Sequence, residues 1–178
     1  ATSDALLEGN RPGVMERLGL GPAQCAARNP RLVYGRMTGW GQSGPLAHVA
    51  GHDLNYVALT GLLSLPAPRG GKPLFPPTVL GDASGALGMC FGMVCAMLDA
   101  RTSGRGRVVD GAIVDVVAML GSLALWLRAN GQIDTAAPSP FHDSPFYDVY
   151  ACADGGFITI GALEPQFYAQ LLDLLGMH

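Results

Sequence analysis

Ala50-Gly51-His52-Asp53-Leu54-Asn55-Tyr56 and, further along, Leu80-Gly81-Asp82 are the two stretches around which this chain is organised. Each places an ionisable side chain just after a glycine and just before an apolar run with helical spacing. The runs predict two central helices, one starting at His52 and the other at Asp82. Two proton carriers at the starts of neighbouring helices are suited to act on one substrate carbon from two sides.

The order of the elements predicts an α/β fold. Strands are expected at residues 4–8, 31–38 and 107–110, and short helices separate the first two. Strands and helices that alternate in this way form parallel sheets, so we expect a Rossmann-like domain with a parallel sheet. The helices are expected at residues 14–18, 22–28, 52–65, 82–101 and 112–128.

Residues 131–145 are polar and rich in proline, without a periodic pattern, and they predict a linker. Residues 1–130 would then be part of the large α/β domain, and residues 146–178 the start of a smaller α+β domain. In the smaller domain we expect an antiparallel pair of strands around the turn Ala153-Asp154-Gly155. A helix should follow from Glu164, because an acid followed by proline suits a first helical turn.

Composition narrows the classes of function. Only 14% of the 178 residues are charged and the net charge is −3, which argues against a nucleic-acid surface or an anionic-membrane surface. Gly39, Gly41 and Gly44 have the spacing of a dinucleotide-binding loop, but Pro45 stands where a helix should open. We therefore interpret these glycines as a sharp turn at the end of a strand.

The cysteines and the apolar segments favour a cytoplasmic protein without a metal site. Cysteines 25, 90, 95 and 152 lack the spacing of a disulfide framework or metal site, and we expect buried free thiols. The longest uncharged apolar segment, residues 83–98, is shorter than the roughly 20 residues that span a bilayer. We expect a core helix there and no membrane span.

Three motifs in order carry a resemblance to a known family: Gly-His-Asp-Leu-Asn-Tyr (51–56), Leu-Gly-Asp (80–82) and Gly-Ala-Leu-Glu-Pro-Gln-Phe (161–167). With them the chain resembles the α-methylacyl-CoA racemase branch of the class III CoA-transferase superfamily, over essentially its whole length. The resemblance implies an isomerase that inverts the α-carbon of 2-methylacyl-CoA thioesters, working as an interlocked homodimer. Members of that family begin upstream of this sequence and continue past it, so we expect a fragment of a longer protein.

Racemisation next to a thioester requires two acid/base groups and a group that stabilises the enolate oxygen. The thioester itself delocalises the charge, so no metal or organic cofactor is expected, and coenzyme A is part of the substrate. The positive end of a helix dipole should help to keep His52 neutral as a base. The resemblance implies that His52 and Asp82 are the catalytic base and acid. The free N–H of Asp53 is a candidate donor to the enolate oxygen.

The resemblance also implies further site residues. Glu164 matches a residue that approaches the catalytic histidine from the partner subunit. Residues expected to bind the phosphates of coenzyme A are Gly9, Asn10, Arg11 and Arg17. Residues expected at the thioester and pantetheine end are Gly51, Leu54, Asn55 and Tyr56. His142-Asp143-Ser144-Pro145-Phe146-Tyr147 departs from the family pattern, so the pocket or linker should differ there.

Two other interpretations remain open. In class III CoA transferases the residue that matches Asp53 is a nucleophile that forms acyl-enzyme anhydrides, and the residue before it is typically not histidine. His52 therefore favours the racemase. Alternatively, the chain by itself is an inactive fragment that folds or dimerises without catalysing a reaction.

Overall fold

The computed structural model describes residues 3–65, 71–133, 140–141 and 144–177. The chain divides into two compact units, residues 1–122 and 123–178, which are described one at a time. His142 and Asp143, in the segment that departs from the family pattern, lie outside the described residues.

The first unit is built on a parallel sheet of three strands. In spatial order these are β1 (Ala5–Glu8), β2 (Val33–Thr38) and β3 (Val108–Ala112). Tyr34 of the middle strand is paired with Leu6 on one side and with Val108 on the other. Val33 and Tyr34 are buried, as expected for a strand covered on both faces. The predicted mixed α/β fold with parallel strands is confirmed.

Helices cover the sheet and lead into the loops at its edge. They are α1 (Val14–Arg17), α2 (Pro22–Arg28), α3 (Asp53–Leu59), α4 (Ser84–Ser103) and α5 (Ile113–Leu120), with a 3₁₀ turn at Leu62–Ser64 and a π-helical turn at Val79–Ala83. The predicted helix over residues 52–65 is shorter than expected, because Gly61 adopts a left-handed φ of 83° just after it. The predicted helix over residues 112–128 is interrupted at Gly121, the residue type that least favours a helix interior after proline.

α4 packs against β2, β3 and α5. Its glycines allow this close approach. A Cβ atom on Gly88 would lie 2.6 Å from Cγ2 of Val116, and one on Gly85 would lie 2.8 Å from Cγ1 of Ile113. The buried residues of this core are Val33, Met89, Met93, Ala96 and Ala100.

The other face of α4 is exposed, with Leu87, Phe91, Val94 and Leu98 at helical spacing. Together with the π-helical turn, the helical run Val79–Ser103 has 25 residues and is long and apolar enough to cross a membrane. The helix is therefore longer than the uncharged segment 83–98 that the sequence singles out, but one such helix is weak evidence for a membrane span. A core helix of a globular protein passes the same test, and a third of the most apolar window (33%) is buried.

The four cysteines are free, as expected, but the prediction that all of them are buried is wrong. Cys90 and Cys95 are exposed on α4, and Cys25 and Cys152 are partly exposed. Cys90 and Cys95 are exposed because only one face of the apolar helix α4 packs on the sheet.

The second unit contains α6 from its second residue onward (Ser122–Ala129), β4 (Tyr147–Ala151), β5 (Phe157–Gly161) and α7 (Pro165–Leu175). β4 and β5 form an antiparallel hairpin in which Tyr147 is opposite Gly161. The hairpin turns through Gly155, whose φ of 84° is in the left-handed region that glycine tolerates. The predicted hairpin and the helix after Glu164 are thus both present.

Candidate active site

A cavity of about 220 Å³ opens at the carboxyl ends of β1 and β2. In open parallel sheets, ligands characteristically bind at this edge. The residues that follow β1 form one wall of the cavity, and those that follow β2, together with the segment leading into α3, form the others. The lining residues are Gly9, Asn10, Arg11, Pro12, Thr38, Gly39, Trp40, Ala47, Val49, Ala50, Gly51, His52 and Tyr56.

Two aromatic side chains shape the cavity. The rings of Trp40 and Tyr56 meet edge to face with centroids 4.7 Å apart. Trp40 donates from Nε1 to the Val49 carbonyl at 3.1 Å, and the Tyr56 hydroxyl donates to the Gly51 carbonyl. A Cβ atom on Gly51 would lie 2.8 Å from the Trp40 ring, and one on Gly39 would overlap the Tyr56 ring. Glycine is therefore required at both positions.

The wall after β1 is anchored by a buried ion cluster. The backbone N–H of Asn10 donates to Oε2 of Glu8 at 2.6 Å. The other oxygen of Glu8 accepts from Nε of Arg36 at 2.9 Å, and Arg36 also donates to both carboxylate oxygens of Glu16, at 2.7 and 3.2 Å. Glu8 and Arg36 are both buried. The charges compensate one another and fix the loop that carries Asn10 and Arg11.

His52 is the residue immediately before the first turn of α3, with an extended backbone and an exposed side chain. Its backbone is fixed by Asn55, whose Oδ1 accepts from the His52 N–H at 3.0 Å and whose own N–H donates to the His52 carbonyl at 2.8 Å. This reciprocal pairing sets the entry angle of the chain into α3. It therefore fixes the backbone position from which the imidazole side chain of His52 extends.

Asp53 connects the two stretches that organise the sequence. It is buried, with 5% of its surface exposed, and its Oδ1 accepts from the Asp82 N–H at 2.9 Å. A Cβ atom on Gly81 would overlap this same oxygen. Gly81 is thus the residue that lets the Asp53 carboxylate reach the backbone beside Asp82, which explains why glycine precedes the acid.

Asp82 lies in the π-helical turn before α4, not at the first residue of that helix as predicted. The turn closes with a bond from the Ala83 N–H to the Thr78 carbonyl at 3.0 Å. Thr78 has a φ of 60°, an unfavourable left-handed conformation for a β-branched residue. Single π-helical turns and backbone strain of this kind occur frequently at functional sites.

The surroundings of Asp82 favour its protonated form. The pKa of Asp82 is raised above its usual value by partial desolvation and by the negative charge of Asp53, against an opposing influence of His52. The pKa of Tyr56 is also raised, by desolvation and then by Asp82 and Asp53. These mutual effects bring His52, Asp53, Tyr56 and Asp82 into one electrostatic group.

The structure places the predicted site residues in three groups. Those that line the cavity are Gly9, Asn10, Arg11, Gly51, His52 and Tyr56. Asp53 and Asp82 are joined to it through the start of α3. Arg17, Leu54 and Asn55 are exposed and do not line it, and the Arg17 guanidinium points back towards Gly13.

Glu164 belongs to the second unit, where it is exposed and precedes α7. Trp40 also lines the cavity, although the predicted site residues did not include it. A signal was present, because Trp40 lies between Gly39 and Gly41 directly after a buried strand. Within the described ranges, no three His, Cys, Asp or Glu side chains are arranged to hold a metal ion.

Comparison with known proteins gives consistent matches over the whole chain. A profile of CoA-transferase family III matches residues 1–178. Alpha-methylacyl-CoA racemase of Mus musculus is 44% identical over 188 residues, which cover 100% of this chain and 48% of that protein. The racemase of Homo sapiens is 43% identical over 185 residues, which cover 98% of this chain and 47% of that protein. The chain spans about half the length of these relatives.

A further relative has a solved structure. The probable fatty acyl-CoA transferase Rv3272 of Mycobacterium tuberculosis is 34% identical over 188 residues, covering 98% of this chain and 47% of that protein. Its orthorhombic crystal structure matches with a TM-score of 0.80 at 33% identity, over 99% of this chain and 46% of that chain. The parallel sheet and the helices around it are therefore similar to those of a CoA-transferase family protein.

Proposed function

The chain belongs to CoA-transferase family III, and from this premise we propose that the protein is a racemase of 2-methylacyl-CoA thioesters. The observation that carries the proposal is the junction of the two motifs. His52 borders the cavity at the start of α3, and the neighbouring Asp53 bonds to the backbone of Asp82 at 2.9 Å. His52 and Asp82, whose side chains can both exchange protons, are thereby held near one site. The relatives of this chain also include two alpha-methylacyl-CoA racemases.

The proposed reaction moves one proton off the α-carbon and returns one to its opposite face. Neutral His52 takes the α-proton, and the electron pair of the broken C–H bond delocalises onto the thioester oxygen as an enolate. Protonated Asp82 then donates its proton to the α-carbon, which leaves His52 protonated and Asp82 ionised. The same groups run the inversion in reverse from that state. The raised pKa of Asp82 supports its role as the proton donor.

The remaining parts of the site have proposed roles in binding. We propose that the N–H of Asp53, which precedes the first hydrogen bonds of α3, donates to the enolate oxygen. Arg11 on the cavity wall would pair with a phosphate of coenzyme A. This reaction requires no metal or organic cofactor, because the thioester stabilises the carbanion. We further propose a homodimer in which Glu164 of the partner subunit completes the site.

A CoA transferase with Asp53 as nucleophile is the alternative. The name of the relative Rv3272, a probable fatty acyl-CoA transferase, favours it. Two observations count against it. The Asp53 carboxylate is buried and already bonded to the Asp82 N–H, and the preceding residue is His52. A nucleophile would have to leave that bond before it could attack a thioester carbonyl.

The test is α-proton exchange of a single enantiomer of a 2-methylacyl-CoA in D2O, followed by NMR, with the full-length protein that contains this chain. We expect exchange with inversion in the parent protein. His52→Ala and Asp82→Asn should each lower the rate of inversion by at least about 100-fold, the smaller end of what a positioned acid or base contributes. Matched controls are His48→Ala and Asp115→Asn, which change an exposed histidine and an exposed acid of the same unit and should leave the rate unchanged.

Two results would reject the racemase. The first is a parent protein that exchanges no α-proton but transfers CoA to a free carboxylic acid, with activity that requires Asp53. The second is full inversion activity in both His52→Ala and Asp82→Asn. Loss of activity in the control variants would show instead that the assay responds to any change in this unit.

A further inference from the structure

The Asp53 side chain has no part in the proton transfer described above, although it is a buried acid directly after His52. Its Oδ1 accepts the Asp82 N–H at 2.9 Å, across 29 residues of sequence. Its Oδ2 is buried without a hydrogen-bond partner in the described part of the chain. Buried polar atoms in native proteins are usually paired, so this carboxylate is held in place at a cost in stability. Such a cost points to a role in the site.

Asp82 has few other means of being held. It lies in a π-helical turn that follows Thr78, whose backbone is strained, and its own side chain is exposed. The hydroxyl of Ser84 closes the turn by donating to the Leu80 and Gly81 carbonyls, but it does not fix the turn to another element. The hydrogen bond that Asp53 accepts from the Asp82 N–H does so, because it connects the turn to the first residue of α3.

We infer that the Asp53 carboxylate is a positioning residue that holds Asp82 at a fixed place relative to His52. Asp53 follows His52 directly, so the same helical turn that presents the base also anchors the backbone of the acid. The spacing between the two proton carriers is then set by one hydrogen bond. This inference rests on the proposed function, in which His52 and Asp82 carry the protons.

The charge of Asp53 has a second effect on Asp82. The titratable groups that face Asp82 are His52, Asp53 and Tyr56, all from the start of α3. On α5 the acid Asp115 is exposed, and the first turns of α4 carry no charged residue. Among these neighbours Asp53 opposes ionisation of Asp82 and His52 favours it. Removing the charge of Asp53 while keeping its acceptor oxygen should therefore shift the limb of the pH–rate profile that reports ionisation of Asp82 to lower pH.

The experiment compares Asp53→Asn with Asp53→Ala in the full-length protein. Asparagine keeps an oxygen that can accept the Asp82 N–H, whereas alanine removes it. We expect Asp53→Asn to retain inversion to within about tenfold of the parent. The neutral amide oxygen still accepts the Asp82 N–H, although in a weaker hydrogen bond than the carboxylate makes. Asp53→Ala should lose about 100-fold in kcat with little change in KM, as expected when a catalytic group is displaced by about 1 Å.

Asp110→Ala is the matched control. Its carboxylate also accepts a backbone N–H, that of Gln42, at 2.9 Å, but it does not line the cavity. We expect this variant to keep the parent rate. Inversion as low in Asp53→Asn as in Asp53→Ala would overturn the inference, because the ionised carboxylate would then be required for the chemistry. An Asp53→Ala variant as active as the parent would also overturn it.

Hydrogen exchange of the Asp82 amide, measured by NMR, separates this inference from the proposed function. Protection of that amide should survive in Asp53→Asn and be lost in Asp53→Ala. A parent protein that fails to exchange the substrate α-proton overturns the proposed function. Equal protection of the Asp82 amide in the parent and in Asp53→Ala overturns the positioning role, whatever the activity of the parent.

Discussion

Two acidic clusters lie close to the edge of the same sheet, and they are built in opposite ways. In the cluster beside β1, Glu8 and Glu16 share the guanidinium of Arg36, so a buried cation neutralises the acids. In the cluster at the start of α3, Asp53 is buried beside Asp82, and its one hydrogen bond is to a backbone N–H. In the first cluster the opposite charges compensate one another, whereas in the second the two carboxylates repel each other.

This difference is the one expected between structural acids and candidate catalytic acids. The pKa of Glu16 is lowered, first by its hydrogen bond from Arg36, so this acid stays ionised and bonded. The pKa of Asp82 is raised, so this acid holds its proton to higher pH than an ordinary aspartate. A perturbed acid in a cleft is a candidate catalytic group, and a neutralised one holds a loop in place. The comparison predicts that the first cluster dominates stability and the second dominates activity.

The largest effect on stability is expected from breaking the neutralised cluster. Arg36→Met would leave Glu8 buried without its cation and should lower the free energy of unfolding by about 3–5 kcal/mol. Urea unfolding followed by circular dichroism measures the change. Arg107→Met is the control, since Arg107 pairs with Asp99 at 2.7 Å with both side chains exposed. We expect that exposed pair to contribute at most about 1 kcal/mol. Equal losses in the two variants would contradict the distinction.

A smaller loss of stability is expected from crowding the second cluster. In Gly81→Ala the new methyl group would overlap Oδ1 of Asp53 and force the carboxylate off the Asp82 N–H. We expect a loss of about 1–3 kcal/mol, as for other overpacked sites, together with a marked loss of α-proton exchange. Gly161→Ala is the control, because its added Cβ would lie 4.0 Å from the nearest atom, on Tyr147. An active Gly81→Ala variant would contradict the geometry at Asp53.

The sequence was sufficient to predict the parallel sheet and the two motifs at its edge. Val33 and Tyr34 form a short apolar run before a glycine-rich turn, a local pattern that already predicts a buried strand. His52 could be placed at a helix start for the same reason, because glycine and an apolar period flank it. These features depend on neighbours in sequence and on burial, which a pattern of residue types records.

The link between Asp53 and Asp82 could not be predicted from the sequence. It joins residues far apart in the chain through one side-chain oxygen and one backbone N–H, and no local pattern encodes such a pair. The π-helical turn was missed for a related reason, since the spacing of apolar residues in α4 continues smoothly into it. Only Gly81, a residue without a side chain between an apolar residue and an acid, hints at the close approach.

The smallest expected effect is on the pH dependence of stability, and its sign differs between the two clusters. A raised pKa in the folded state means that the folded protein binds more protons than the unfolded chain. The ionised Asp82 therefore destabilises the fold increasingly as the pH rises from 3.8, the usual pKa of aspartate, through the raised pKa. Asp82→Asn should therefore be more stable than the parent at neutral pH. We expect less than about 1 kcal/mol, because water screens this exposed side chain. The gain should vanish in acid.

Glu16→Gln should behave in the opposite way. Because the pKa of Glu16 is lowered in the folded state, its ionised form stabilises the fold at pH values above 4.5, the usual pKa of glutamate. This contribution is lost as the pH falls through the lowered pKa. Glu16→Gln should thus be less stable than the parent at neutral pH, with the gap closing in acid. Chemical unfolding of both variants at neutral and acidic pH measures the two trends. If Asp82→Asn lost stability at neutral pH as Glu16→Gln does, the carboxylate of Asp82 would be a paired structural acid and not a proton donor.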